Sequence, residues 1–239
     1  MIVVVPMAGR GSRFADKGVT TPKPLIPVLG KPMVAWALRS LEGVAYSRLI
    51  FVALREHEEH FGVTALLKEL TKGKAEVMLI DQVTEGQLAT VLVAREVINH
   101  EEGILVASSD TYIDSAIGRD IQTCPPECRG LISVTNMPGE RWSFARVDEH
   151  GNVVEVAEKV RISDHASTGL YYFSSGRELV AVGESMIRAS EKTRGEYYVI
   201  PVYQKLIARG GLVRLSHAKR MWDMGTPEAL AEFERHFSR

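Results

Sequence analysis

Met1-Ile2-Val3-Val4-Val5-Pro6-Met7-Ala8-Gly9-Arg10-Gly11-Ser12-Arg13-Phe14, answered by Thr21-Pro22-Lys23-Pro24, is the stretch on which the fold turns. Met1 to Val5 is an apolar run rich in β-branched residues and reads as a buried strand. It feeds a loop whose two glycines leave backbone N–H groups uncovered by any Cβ, so a phosphate can approach closely. Arg10, Arg13, Lys17 and Lys23 place four cations within fourteen residues. Open α/β sheets bind ligands at the carboxyl ends of their strands. A polyphosphate site is therefore expected here.

Two common phosphate loops do not fit. Gly-x-x-x-x-Gly-Lys-Ser/Thr is absent. A dinucleotide fingerprint needs a third glycine opening into a helix, and Phe14 stands in that place with prolines to follow. A solvated Gly/Arg surface turn is the plain alternative.

The 239 residues, 45% of them hydrophobic, suit one globular domain or one with a small appended lobe. A net charge of -1 exerts no general pull on nucleic acid, so the basic start is a local feature. No apolar run reaches the roughly 18 residues of a membrane span, and no basic segment precedes Ile2 as in a signal peptide. A cytoplasmic protein without membrane or nucleic-acid partners is expected, and a homo-oligomer is compatible with the chain. Cys124 and Cys128 lack the second pair that a zinc site needs, so they read as reduced thiols.

Strands and helices then alternate. Met33, Ala37, Leu38 and Leu41 recur at helical spacing, and Leu49–Leu54 is a second strand. A helix is expected over Glu58–Leu70, with Phe61, Ala65, Leu66 and Leu70 inward and His57 and His60 on a solvated start. Ala75–Ile80 is a third strand. Gln87–Ile98 reads as a helix with Ala89, Val93, Ala94 and Val97 inward, and Gly103–Ala107 as a fourth strand. Four such alternations predict a parallel sheet with crossover helices. After Gly130 the pattern shifts to short alternating strands over 131–136, 143–148, 152–157 and 168–173, with a hairpin turn at 149–152.

Four polar positions at strand or loop ends stand out. Gln82, in a loop containing Gly86, presents a donor and an acceptor together; the loop also reads as a simple helix entry. Asp110, after Ser108 and Ser109 at a strand end, is a hard oxygen ligand suited to Mg²⁺, or else the N-cap of a helix over Ile113–Ile121. Glu158-Lys159 closes another strand, as a ligand pair or an exposed charge pair. Thr226 and Pro227 make a helix start, which leaves Asp223 unexplained.

Ala8-Gly9-x-Gly11-x-Arg13 after a first strand, with Pro22-Lys23-Pro24 beyond it, resembles the nucleoside-triphosphate:sugar-1-phosphate nucleotidyltransferases, or sugar-nucleotide pyrophosphorylases. The resemblance covers roughly residues 2 to 235. It implies a Rossmann-like, glycosyltransferase-A-like α/β fold: a mostly parallel mixed sheet flanked by helices, with a small sugar-binding β extension. A single domain follows, its nucleotide half about 1–128, its sugar half about 129–225 and its last helix 226–239. It leaves no room for the left-handed β-helix acyltransferase domain of some relatives. By the same resemblance Met7, Ala8, Gly9, Gly11 and Ser12 wrap the nucleotide, with Gln82, Gly86 and Ser109. Arg13 neutralises the β- and γ-phosphates and Lys23 serves the α-phosphate. Asp110 and Asp223 share one Mg²⁺, Lys159 holds the sugar phosphate, and Glu158, Gly169 and Glu196 face the sugar.

The position after Lys159 carries Val160 where the family often has proline. Trp142-Ser143, Ala157-Glu158-Lys159 and Ile162-Ser163-Asp164 are similar to a small branch associated with capsule and surface polysaccharide. The reaction implied joins a nucleoside triphosphate to a sugar 1-phosphate or phosphorylated polyol and releases pyrophosphate. A nucleotide-sugar-dependent glycosyltransferase is the first rival, but its Asp-x-Asp pair is replaced by Asp110-Thr111-Tyr112. A non-catalytic nucleotide or sugar sensor is the second.

Overall fold

Successive residues of β1 (Ile2–Pro6) face two different cores: Ile2 and Val4 pack into one apolar cluster, Val3 and Val5 into another. The run is uniformly apolar because both of its faces are covered. The computed structural model describes residues 1–237. A short hairpin, β2 (Pro27–Val28) with β3 (Lys31–Pro32), follows β1. The other strands are β4 (Arg48–Leu54), β5 (Ala75–Ile80), β6 (Ile104–Ala107), β7 (Thr111–Ser115), β8 (Cys128–Thr135), β9 (Ser143–Val147), β10 (Val153–Glu158), β11 (Ala166–Phe173) and β12 (Leu212–Asp223).

The main sheet runs in the order β5-β4-β1-β6-β11-β8-β12-β7, and β9 and β10 form a hairpin attached through β11. The first four strands are parallel. β11 is antiparallel to both β6 and β8, β12 is parallel to β8, and β7 is antiparallel to β12. The fold is thus the mixed Rossmann-like α/β sheet that was expected, and it runs unbroken past residue 128, where β8 begins. One face is covered by the helices Gln87–Val91, Gly176–Arg188 and Pro201–Ala208, through Leu88, Val91, Leu179, Val182 and Tyr203. The other is covered by Val34, Val63, Leu67 and Ile117. The last helix, Pro227–Phe237, closes a third cluster with Phe14, Met33 and Trp36.

Three expectations change. The helix over Ile113–Ile121 is instead β7 followed by a helix from Ile117 to Thr123. Pairing with β12 supplies the ladder that five residues alone could not advertise. The helix over Glu58–Leu70 is two, Arg55–Phe61 and Val63–Leu70, broken where Gly62 turns left-handed at φ 59°. The break resets the helical phase, so Val63 and Leu67 are buried while Phe61 is exposed. It also buries His57, whereas the His60 ring bonds the carbonyl of Glu56. Over Gln87–Ile98 a 3₁₀ turn at Leu92–Ala94 shifts the inward face to Leu88, Val91, Leu92, Ala94 and Ile98.

Candidate active site

β1 and β6 are parallel neighbours, so the loop after Pro6 and the segment Ser108–Asp110 emerge side by side at the carboxyl end of the sheet. Between them opens a cleft of about 610 Å³. Met7, Ala8, Gly9, Gly11, Ser12 and Arg13 form one wall, Ser109 and Asp110 the floor, and Gly86 with Gln87 a second wall. Lys159, Glu196 and Tyr198 reach in from the other half of the chain.

Gly11 sits at φ 61°, and a Cβ there would lie 2.9 Å from Cβ of Lys23. Only a glycine lets the Arg13 loop and the Lys23 segment lie this close. Phe14, buried in the third cluster, anchors the loop from beneath. Lys23 Nζ donates to Oδ2 of Asp110. Oδ1 of Asp110 accepts from Ser108 Oγ at 2.9 Å and from Thr111 Oγ1 at 3.1 Å. Burial opposes ionisation of Asp110, but Lys23 and these hydroxyls outweigh it, and its pKa falls below the ordinary value.

Asp223, the last residue of β12, comes back to the same point. A Cβ on Gly225 would lie 2.9 Å from Oδ1 of Asp223 and 3.2 Å from Oδ2 of Asp110, so the two carboxylates border one small cradle. The backbone N–H of Met224 donates to the Asp110 carbonyl at 2.9 Å and fixes the approach. Asp223 accepts from the Gly225 N–H at 2.9 Å and from Arg141 at 2.8 Å. Burial and the like charge of Asp110 still push its pKa up. Two carboxylates facing a space that one methyl would fill form a donor set fitting a hard divalent cation. Among the described residues no group of three or more His, Cys, Asp or Glu could hold a metal. Mg²⁺ commonly uses one or two carboxylates and takes its remaining ligands from phosphates and water.

On the far side Lys159 occupies a left-handed conformation, φ 56°, at the end of β10. Its ammonium donates to the Tyr198 hydroxyl and lies 4.6 Å from the ring centroid. A non-glycine residue held in this region stores strain, which is common at ligand clamps. Tyr198 and Glu196 belong to a loop tied to the Gly86 loop: Tyr197 N–H donates to the Glu85 carbonyl at 2.8 Å, and Leu88 N–H to the Tyr197 carbonyl at 2.9 Å.

Residues 2–238 match the nucleotidyl transferase family. The chain belongs to it. A glucose-1-phosphate thymidylyltransferase of Streptomyces griseus is 25% identical over 98% of this chain and 65% of its own length. A bifunctional protein GlmU of Cupriavidus metallidurans is 25% identical over 98% of this chain and 51% of its own. The chain therefore spans between half and two-thirds of these curated relatives. The crystal structure of a nucleoside-diphosphate-sugar pyrophosphorylase from Vibrio cholerae superposes with a TM-score of 0.84 at 27% identity, covering 98% of this chain and 99% of that one.

Of the residues that the family resemblance singles out, most line the cleft: the Met7–Arg13 loop, Lys23, Gly86, Ser109, Asp110, Lys159 and Glu196. Asp223 borders it through the Gly225 cradle while opening on a neighbouring cleft. Three do not line it. Gln82 is exposed outside, and the amide in the wall belongs to Gln87. Glu158 is buried behind Lys159, accepting from the Ser143 hydroxyl, and burial raises its pKa. Gly169, at φ 92°, makes room for Ser108, whose Cβ a side chain there would meet at 3.0 Å. Arg10, one of the four cations expected at the first loop, lines the cleft. Tyr198 stands two residues after Glu196 in the 194–198 loop, which resembles a sugar-side loop of the family. Ser108 and Arg141 carried no individual role in the sequence and are set by tertiary approach.

Proposed function

We propose that the protein transfers a nucleotidyl group from a nucleoside triphosphate to a sugar 1-phosphate or phosphorylated polyol, giving a nucleoside-diphosphate sugar and pyrophosphate. The observation that carries this reading is the meeting of Lys23, Asp110 and Asp223 at the border of a cleft that Arg13 and Lys159 enter from opposite halves of the chain. A phosphate oxygen of the acceptor attacks the α-phosphorus in line. The bond from α-phosphorus to the bridging oxygen breaks, and the electron pair leaves with pyrophosphate.

The reactants are both anions, so the protein acts by neutralising charge and fixing position. Arg13 stabilises the departing pyrophosphate. Lys23 turns from Asp110 to the α-phosphate oxygens. Lys159 holds the attacking phosphate. The Gly9 position, whose Cβ would meet no protein atom within 4 Å, leaves backbone open to the triphosphate. Mg²⁺ held by Asp110 and Asp223 would supply further positive charge to the triphosphate. A phosphate monoester is already largely ionised near neutral pH, so no side chain need act as general base.

The test is a grid of nucleoside triphosphates against sugar and polyol phosphates, with and without Mg²⁺, read by pyrophosphate release. Glucose 1-phosphate with thymidine triphosphate is the first pair, after the name of the Streptomyces relative. Precursors of surface polysaccharide come next, after the capsule-branch motifs. Pyrophosphate from no pair overturns the proposal. Release of a nucleoside diphosphate from a nucleotide sugar replaces it with glycosyl transfer.

A further inference from the structure

Arg141 has no place in the reaction as drawn, yet it makes an ion pair with Asp223, Nη2 to Oδ2 at 2.8 Å. It belongs to the β8–β9 connection, 82 residues earlier in the chain. Its side chain is 47% exposed and Asp223 only 11%. The guanidinium lies 4.3 Å from the Trp142 ring centroid and opens on a second cleft, of about 720 Å³, that shares Asp223 with the cation cradle. The carbonyl of Trp142 in turn accepts the backbone N–H of Lys159 at 2.9 Å. Arg141 is thus mounted one residue from the backbone that carries the acceptor-side lysine.

Each cradle carboxylate is therefore held by a cation: Asp110 by Lys23, Asp223 by Arg141. A divalent ion bound to Asp223 at about 2.0–2.1 Å would sit against the guanidinium, and the two positive charges repel. Arg141 must give way. Arg141 is next in sequence to Trp142, whose carbonyl holds the backbone of Lys159, the residue read as binding the acceptor phosphate.

We propose that Arg141 is parked on Asp223 until a divalent cation replaces it, and then serves as a second phosphate-binding residue of the acceptor subsite. This rests on the reading of Asp110 and Asp223 as metal ligands. It makes metal and acceptor binding mutually reinforcing, because each favours the released guanidinium.

Mn²⁺ titration of the full chain, read by the electron-spin signal of free Mn²⁺ with and without inorganic phosphate, tests it. Arg141→Ala should bind Mn²⁺ about twofold to fivefold more tightly than the native protein without phosphate, since a partly exposed ion pair no longer competes. Added phosphate should tighten Mn²⁺ binding by the native protein and by Arg141→Lys, and much less by Arg141→Ala. If Arg141 merely supports Asp223, its removal leaves a buried carboxylate harder to ionise and weakens Mn²⁺ binding. That outcome, unchanged affinity, or a phosphate effect that survives in Arg141→Ala overturns the proposal. Asp223→Asn separates the two ideas. If it abolishes Mn²⁺ binding while Arg141→Ala changes nothing, only the parking role falls; if it binds Mn²⁺ like the native protein, the metal assignment falls and this role with it.

Discussion

Replacing Gly225 with alanine puts a methyl group into the cradle between Asp110 and Asp223 and changes little else. Gly225 is not among the residues of positive φ, so alanine can adopt its backbone, and the N–H that binds Asp223 is retained. The new Cβ would lie 2.9 Å from Oδ1 of Asp223 and 3.2 Å from Oδ2 of Asp110. Ordinary carbon–oxygen contacts settle near 3.3–3.6 Å, so the nearer carboxylate must retreat by about half an ångström. Metal–ligand distances tolerate only about 0.2 Å. The retreat is cheap for folding, because a carboxylate end can rotate, and costly for a shared cation. Disturbing the surroundings of a metal site typically costs about 10- to 100-fold in affinity, or roughly 1.4–2.7 kcal/mol. The Mg²⁺ concentration for half-maximal pyrophosphate release should therefore rise by about 10- to 100-fold. The melting temperature should hold or rise slightly, as glycine-to-alanine changes reduce unfolded-state entropy. An unchanged Mg²⁺ requirement in a folded Gly225→Ala protein would refute a cation between these two carboxylates.

Lys23→Ala should cost about 2–4 kcal/mol of transition-state stabilisation, roughly 10²–10³ in kcat at saturating substrates, with an unchanged fold by circular dichroism. Gly86→Ala should destabilise the protein by about 2–4 kcal/mol in urea unfolding, because its φ is 130° and its Cβ would meet Tyr197 backbone N and O at 2.6 Å. Asp223→Asn should raise the melting temperature of the metal-free protein at pH 7. The folded pKa of Asp223 is raised, so its contribution to stability is present below the unfolded pKa and lost as pH rises through the folded one. The gain should vanish in acid, where Asp223 is protonated in both states. Asp110 has the opposite sign: its lowered pKa contributes stability above the unfolded value, lost as pH falls through the folded pKa. Asp110→Asn should therefore lower the melting temperature at pH 7, and the loss should shrink towards low pH.

The parallel strands β1, β4, β5 and β6 were legible because their signals are local. A doubly buried strand is apolar at every position, and its glycine loop and cations follow directly. β7 was hidden because its partner, β12, lies about a hundred residues later, and β12 itself alternates poorly, with His217, Lys219 and Arg220 exposed near its end. Gly62 was read as an interior helix residue, although its left-handed backbone ends one helix and begins the next.

The glycines show why the candidate site was only partly legible. A glycine in a binding motif reports that something comes close, not what comes close. In this chain Gly11 admits the Lys23 side chain, Gly86 the Tyr197 backbone, Gly169 the Ser108 side chain and Gly225 two carboxylates. Each of these brings one part of the protein against another. Gly9 alone among the five has no protein atom waiting within 4 Å. Sequence pattern cannot separate these cases, since all five present the same missing Cβ. The distinction is nonetheless testable: alanine at Gly86 should fail first in stability, alanine at Gly9 first in triphosphate affinity. If Gly9→Ala left the triphosphate KM unchanged, the backbone of that loop would not be the surface on which the phosphates rest.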